Sequence, residues 1–287
     1  MCQALRPIAL LFLSLLTPTL ARPKLPPLPS NTTFPTHYAV VVWPSFALGD
    51  AFGPIDVLNA LTYWYPQLGM HLSVLSATLD PVSTRLLAGS VVPDEANATV
   101  LPPGDFGQAV LPTDTLAAVL ARNGSAWVEP YPPDGVSPPN RALAPIDVLL
   151  VPGGAALQRD RSAEAAFVRA LYPRLRGVFS VCTGAAVLAR AGVLGGRRAT
   201  SSKQDWRHTV ATPTPAGEAA VRWVREARWV RDGNVWTAAG PTAGIDAMYA
   251  WVESVFGRDV AEYLADAMEH VRWRDGDYNP FADVWDE

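Results

Sequence analysis

Cys182 lies in Ser180-Val181-Cys182-Thr183-Gly184-Ala185-Ala186, between an apolar run (Val178, Phe179) and a small-residue helical pattern from Ala185 to Ala191. A cysteine between a strand and a helix occupies a sharp turn at a helix N-terminus. There the helix dipole and unpaired backbone N–H groups favour a thiolate. A thiolate attacks electrophilic carbon without a separate base. A buried cysteine also serves as a small apolar residue, but the strand–Cys–Thr–Gly–helix context favours chemistry. Pro152-Gly153-Gly154 closes another apolar run, Ile146 to Val151. The N–H groups of Gly153, Gly154 and Thr183 are candidates to face a developing oxyanion or a substrate. The two glycines equally suit a tight turn needing positive φ. The Thr183 hydroxyl is a candidate partner for the thiolate or substrate, or simply a first-turn helix residue. Asp50 follows a third apolar run, Ala39 to Val42.

These residues need a scaffold that brings three strand ends together. Ala39 to Val42, Leu72 to Ser76, Ile146 to Val151 and Val178 to Val181 read as strands, the continuous apolar ones as buried parallel strands. Helical patterns run over Asp50 to Leu61, Ser162 to Leu171, Ala185 to Ala191, Thr242 to Phe256 and Asp259 to His270. Gly192 and Gly257 close two of them as C-caps. Arg198 to Thr200 reads as a short strand. Asp232-Gly233-Asn234 between Arg228–Arg231 and Val235–Thr237 signals a hairpin. Strands alternating with helices predict an α/β fold with a mostly parallel sheet covered on both faces. Sites in such sheets form at the carboxyl ends of strands, so Asp50, Gly153-Gly154 and Cys182 are expected to converge.

The chain has 287 residues, 49% hydrophobic and 17% charged, with net charge −4. That composition supports a sizeable core and gives no electrostatic reason for nucleic-acid or anionic-membrane binding. Residues 1–21 read as a signal peptide: Arg6, an apolar run from Ile8 to Leu16, and Thr19-Leu20-Ala21 as a cleavage site. Cys2 would leave with it, so Cys182 has no internal disulfide partner. Sequons at Asn31, Asn97 and Asn123 fit a secreted, extracellular glycoprotein with no membrane association after signal removal. Residues 22–37 read as a proline-rich extended leader, and 38–287 as a single domain. Residues 93–145, rich in Pro, Gly, Asn and Asp, read as a surface insertion with one short helix at Asp114 to Ala121, part of it docked on the core. The acidic, aromatic tail from Trp273 is expected to pack over the domain or a partner subunit. His37, His71, His208 and His270 show no metal-ligand spacing, so no metal is expected. His208 reads as a surface residue and Asp246 as a helix cap.

Four segments together resemble the ThiJ/PfpI superfamily, with its class I glutamine amidotransferase-like, flavodoxin-type three-layer fold. They are Trp43-Pro44 through Asp50-Ala51-Phe52-Gly53-Pro54, Asp147 through Gly154, Ser180 through Gly184 running on to Thr200, and Gly240 to Asp246. The chain is most similar to the isocyanide hydratase-like branch, which has Cys-Thr-Gly at the elbow and an acid before a Gly-Pro helix start. Members with proteolytic or deglycase-like activity usually show Cys-His-Gly; here Thr183 stands at the histidine position. The branch also commonly carries a histidine after its Ala-Thr strand, where this chain reads Ser201-Ser202-Lys203.

The resemblance implies a cysteine nucleophile at Cys182 that hydrates or hydrolyses a small electrophilic molecule. It implies that Asp50 shares a proton with the thiolate and acts as general acid, then base; an N-cap role for the helix near Gly53 suits Asp50 equally. No organic cofactor and a homodimer are implied. A non-catalytic ligand-binding or redox-sensing member of the same fold is the competing reading.

Overall fold

The computed structural model describes residues 23–88, 90–92, 99–128, 142–155 and 160–285. Among them, seven strands form one central sheet: β1 His37–Val41, β2 His71–Ser76, β3 Asp114–Thr115, β4 Val148–Val151, β5 Gly177–Val181, β6 Trp229–Asp232 and β7 Val235–Ala238. Their order is β6-β7-β5-β4-β1-β2-β3. All neighbours are parallel except the β6–β7 hairpin. The apolar runs explain why. Every residue of β1 and β4 is at most 1% exposed, so neither strand has a solvent face. Helices must cover both sides of such a sheet.

The helices are α1 Leu48–Trp64, α2 Leu116–Ala121, α3 Ser162–Leu171, α4 Gly184–Arg190, α5 Trp206–Val210, α6 Pro241–Phe256 and α7 Arg258–Ala267. α1 packs on α6 and α6 on α7, while α3 packs on α4 and α2. Phe179 of β5 stacks on Trp236 (centroids 5.4 Å apart) and meets Trp251 edge-on at 5.3 Å, joining β5 and β7 to α6. The molecule is an α/β sandwich of flavodoxin-like kind. The chain runs outward from β1 to β2 and β3, then returns to β4 on the other side of β1. The sheet's switch point therefore lies between β1 and β4, and the loops after β1, β4 and β5 open beside it.

Several boundaries differ from those read in the sequence. The first helix begins at Leu48, so Pro54 lies inside it. The last helix ends at Ala267, leaving His270 in the tail. The leader is extended but does not hang free. Tyr65 Oη donates to the Pro26 carbonyl at 2.9 Å, and Phe34 stacks on Phe256 at 4.8 Å. The region read as a surface insertion divides in two. Its second half belongs to the domain: Asp114–Thr115 forms the sheet edge against β2, and Leu116, Val119 and Ala126 are buried. Ser125–Val128 pairs antiparallel with Ala142–Pro145. The proposed signal peptide and Asn97 lie outside the described residues. Asn31 and Asn123 are exposed, each with positive φ in a turn. No described helix is long and apolar enough to cross a membrane.

Candidate active site

The turn from β5 into α4 places Cys182 with φ 57°, in the left-handed region. For a non-glycine residue that conformation costs about 1–2 kcal/mol. Two hydrogen bonds hold it: the Cys182 N–H donates to the Ala238 carbonyl at 2.9 Å, and Ser201 Oγ donates to the Cys182 carbonyl at 2.8 Å. Behind the cysteine, Gly184 is required by space. A Cβ there would meet the Val151 carbonyl oxygen at 2.2 Å. The helix start can therefore press against the end of β4, and the half-buried thiol stands at the carboxyl edge of the sheet.

Asp50 approaches from the first turn of α1 and is 1% exposed. The helix N-cap is Ala47, so Asp50 is not a capping residue. Its Oδ2 accepts the Gly153 N–H at 3.0 Å, bridging the loops after β1 and β4. Its Oδ1 is buried without a hydrogen-bond partner, and the carboxyl interacts with the Cys182 thiol. Burial raises the Asp50 pKa from 3.8 to about 7, opposed by the Gly153 N–H and the Cys182 hydrogen bond.

Two expectations are corrected here. The amides of Gly153 and Gly154 are committed inside the protein, not turned toward a substrate: the first holds Asp50, and the second donates to Thr183 Oγ1 at 3.1 Å. The Thr183 hydroxyl is thus tied to the loop after β4, while its backbone N–H acts to lower the Cys182 pKa. The thiol is also not poised as a free thiolate. Burial first, then the nearby Asp50 and Asp205 carboxylates, push its pKa well above the ordinary thiol range; the Ser202 hydroxyl and Thr183 N–H only partly offset this. A short helix start is outweighed by desolvation and two negative neighbours.

A cleft of about 400 Å³ opens over the pair, lined by Asp50, Cys182, Ser202, Asp205, the Gly240–Ala243 turn and the tail residues Phe281 and Trp285. Lys203 also lines it, but its Nζ turns to Thr200 Oγ1 (2.8 Å), Ala227 O (2.9 Å) and Ser201 O (3.3 Å). Burial, then the Arg225 charge, lowers its pKa to about 7. Asp246 is not a helix cap: α6 starts at Pro241, and Asp246 accepts from Arg228 at 2.8 and 3.0 Å, pairs with His270 Nε2 at 3.0 Å and accepts the Trp273 N–H at 3.0 Å. It anchors the tail that walls the cleft. His208 is exposed on α5 and does not line the cleft.

Asp205 and Arg228 were not singled out as site residues in the sequence, and the tail was expected to pack over the domain or a partner subunit without being linked to the cleft. Asp205 sits in a short polar stretch with no periodicity, and the tail is more than 90 residues from Cys182. Ser202 was legible only as a departure from a family pattern. Among the described residues no group of His, Cys, Asp or Glu is placed to hold a metal ion.

The profile of the DJ-1/PfpI family matches residues 139–254, from before β4 almost to the end of α6. The isonitrile hydratase of Pseudomonas putida is 38% identical over 130 residues, covering 44% of this chain and 53% of the hydratase, so the match spans about half of that relative. An uncharacterized protein from the cpoL 5′ region of Streptomyces lividans is 46% identical over 180 residues, covering 62% of this chain and 93% of the relative. The crystal structure of a ThiJ/PfpI family protein from Pseudomonas syringae superposes with a TM-score of 0.55 at 24% identity, covering 88% of this chain and 82% of the other. Strand order, elbow and sequence agree, and the chain belongs to the DJ-1/PfpI family.

Proposed function

We propose that this protein hydrates isonitriles, or closely related small molecules with an electrophilic terminal carbon. The observation that carries the reading is the Asp50–Cys182 pair: a carboxyl with a pKa of about 7, hydrogen-bonded to a thiol on a strand–helix elbow at the floor of a cleft. A group titrating near neutrality both gives and takes protons efficiently. The similarity to a relative named isonitrile hydratase supports the same reading.

The chemistry balances with these two groups and water. The Cys182 sulfur adds to the terminal carbon of R–N≡C, the S–H bond breaks, and the carbon takes a proton, giving a thioimidate. Water adds to that carbon and the nitrogen takes a proton. The C–S bond then breaks, releasing the N-substituted formamide and restoring the thiol. Asp50, beside the sulfur, is the group positioned to move protons to and from the substrate. The Thr183 N–H, which lowers the thiol pKa, favours the sulfur when it carries negative charge.

The redox-sensing alternative is disfavoured by the raised thiol pKa, because oxidation follows thiolate character and exposure. The test is formamide production from alkyl and aryl isonitriles by the purified protein. Cys182→Ser and Asp50→Asn should each lower kcat by roughly 100-fold or more. An intact protein that binds isonitriles but forms no formamide would overturn the enzymatic reading and favour a binding protein.

A further inference from the structure

Another cavity, of about 560 Å³, lies beside the sheet edge formed by β6 and shares no lining residue with the cleft over Cys182. Arg198, Arg231, Arg258, Arg272 and Arg274 line it. The carboxylates that meet them are fewer. Asp277 pairs with Arg198 at 3.5 Å and Glu253 with Arg272 at 2.7 Å. A single carboxylate, Glu262, serves Arg274 at 2.5 Å, Arg272 at 2.9 Å and Arg258 at 3.9 Å. Arg231 has no carboxylate partner among the described residues. Its Nε reaches the Gly233 carbonyl at 3.4 Å, and its guanidinium lies over the Trp236 ring, 5.1 Å from the centroid. Five guanidiniums thus meet three carboxylates, an excess of two positive charges on a chain whose net charge is −4.

The same cavity holds two orphan donors. Trp236 and Arg272 both line it, and Trp236 Nε1 and Arg272 Nε are buried without a hydrogen-bond partner among the described residues. Trp236 is 3% exposed and the Arg272 side chain 4%. Buried N–H groups are nearly always paired. Both orphans are donors, so an oxygen acceptor completes them, and the surplus charge favours an anionic one.

We propose that this cavity binds a phosphate monoester, held by Arg231, Arg258 and Arg274, with Trp236 Nε1 and Arg272 Nε as its buried donors. A phosphate monoester carries close to two negative charges at neutral pH and offers three acceptor oxygens. That matches both the excess charge and a set of unpaired groups made only of donors. The three holding arginines are exposed, the Arg258 and Arg274 side chains at 65% and 56%. Each guanidinium has five N–H donors in a planar fork suited to phosphate, and the ion pairs above use few of them. Arg272 holds Glu262 and Glu253 on its Nη atoms, which keeps both carboxylates engaged. The volume is that of a small-molecule site, with Val230 and Ala250 available to the organic part of the ester. Arg231 comes from β6, Arg258 from the start of α7 and Arg274 from the tail, so the ligand joins three separate segments. The assignment does not depend on the isonitrile reading.

The test is titration of the full chain with phenyl phosphate by isothermal calorimetry, with phenyl sulfate and phenol alongside. The site predicts saturable one-to-one binding of phenyl phosphate that weakens as sodium chloride is raised. Phenyl sulfate, with a single charge, should bind about tenfold more weakly, and phenol not at all. Arg231→Gln and Arg274→Gln should each weaken phenyl phosphate binding about tenfold, with thermal melts establishing that both fold. Arg169→Gln removes one exposed charge from α3, outside the cavity, and should leave the affinity within roughly twofold. Blocking Cys182 with iodoacetamide should leave it unchanged. No saturation at millimolar phenyl phosphate overturns the proposal. So does equal weakening by Arg169→Gln and Arg231→Gln, which would mean attraction to the overall charge, or loss of binding on blocking Cys182, which would place the ligand in the other cleft. The readout is binding, so absence of isonitrile turnover removes the hydratase reading and leaves this site standing.

Discussion

At the scale of single residues, the site is organised by where negative charge is allowed. Asp50 is nearly inaccessible, and burial rather than any one neighbour sets its high pKa. That has a consequence for stability. The folded state binds the Asp50 proton more tightly than the unfolded chain does. Between pH 3.8 and about 7 the native carboxyl is therefore more protonated than the unfolded one, and stability falls as pH rises through this window. The penalty is absent below the window and complete above it. A rise from 3.8 to about 7 corresponds to roughly 4 kcal/mol as an upper figure. Asp50→Asn should thus raise Tm above neutral pH, with the gain shrinking as pH falls toward 4. Melting curves across that range check it; a gain that grows on acidification would contradict the buried-carboxyl account. The same substitution should remove activity, so stability and function move in opposite directions at one atom.

At the scale of elements, the geometry of the site depends on backbone approach. The loop after β4 comes so near the elbow that a Cβ on Gly153 would meet Thr183 Oγ1 at 2.5 Å and Asp50 Oδ2 at 2.9 Å. Gly153 is a spacer between Thr183 and the Asp50 carboxyl, and its N–H is the strut that holds the carboxyl. Gly153→Ala should cost about 1–3 kcal/mol through overpacking. It should also weaken the Gly153–Asp50 hydrogen bond, which favours the charged carboxyl, and so raise the pKa of Asp50 further. A pH–rate profile of alkylation or turnover whose inflection moves upward checks this. A variant that is destabilised yet keeps the parent inflection would show that the strut does not tune the site. The pairing of these loops was foreseeable from three apolar runs followed by Asp50, Gly153 and Cys182. The direction of the two glycine amides was not, because a sequence shows that N–H groups exist at a turn and not which acceptor lies nearest.

At the scale of the whole molecule, the described end of the chain returns to the cleft. Arg228 and Trp229 N–H groups both donate to the Gly276 carbonyl, at 2.8 and 3.2 Å, and Arg225 Nε donates to the Ala282 carbonyl at 3.2 Å. The Arg228–Asp246–His270 cluster fastens the segment before it. Phe281 and Trp285, each about half exposed at 52%, then stand at the cleft wall. Removing residues 279–287 should leave the fold intact, with a change of about 1–2 kcal/mol, since the sheet and its helices are untouched. It should raise the rate of Cys182 alkylation by a bulky maleimide several-fold more than that by iodoacetamide. Equal effects on both reagents would mean the tail does not bound the cleft.

Much of this architecture follows from local pattern. Apart from the buried His37 that opens β1, residues of β1 and β4 are apolar at every position, and a strand with no exposed face must be covered on both sides; Ser162–Leu171 shows helical periodicity with the same ends in sequence and structure. The elbow cysteine and the acid that meets it are likewise legible, because Cys182 directly follows a strand, Asp50 comes soon after another, and strand ends in a parallel sheet converge. Long-range placement is different in kind. The Asp114–Thr115 edge strand is two residues long, too short for any period, and forms because β2 offers an unpaired edge. The protonation state of Cys182 depends on burial and on Asp50 and Asp205, more than 130 residues before it and 23 residues after it, and electrostatic coupling acts through space, not along the chain. The same holds for the tail across the cleft: contacts between distant segments set desolvation and charge, and those in turn set the chemistry.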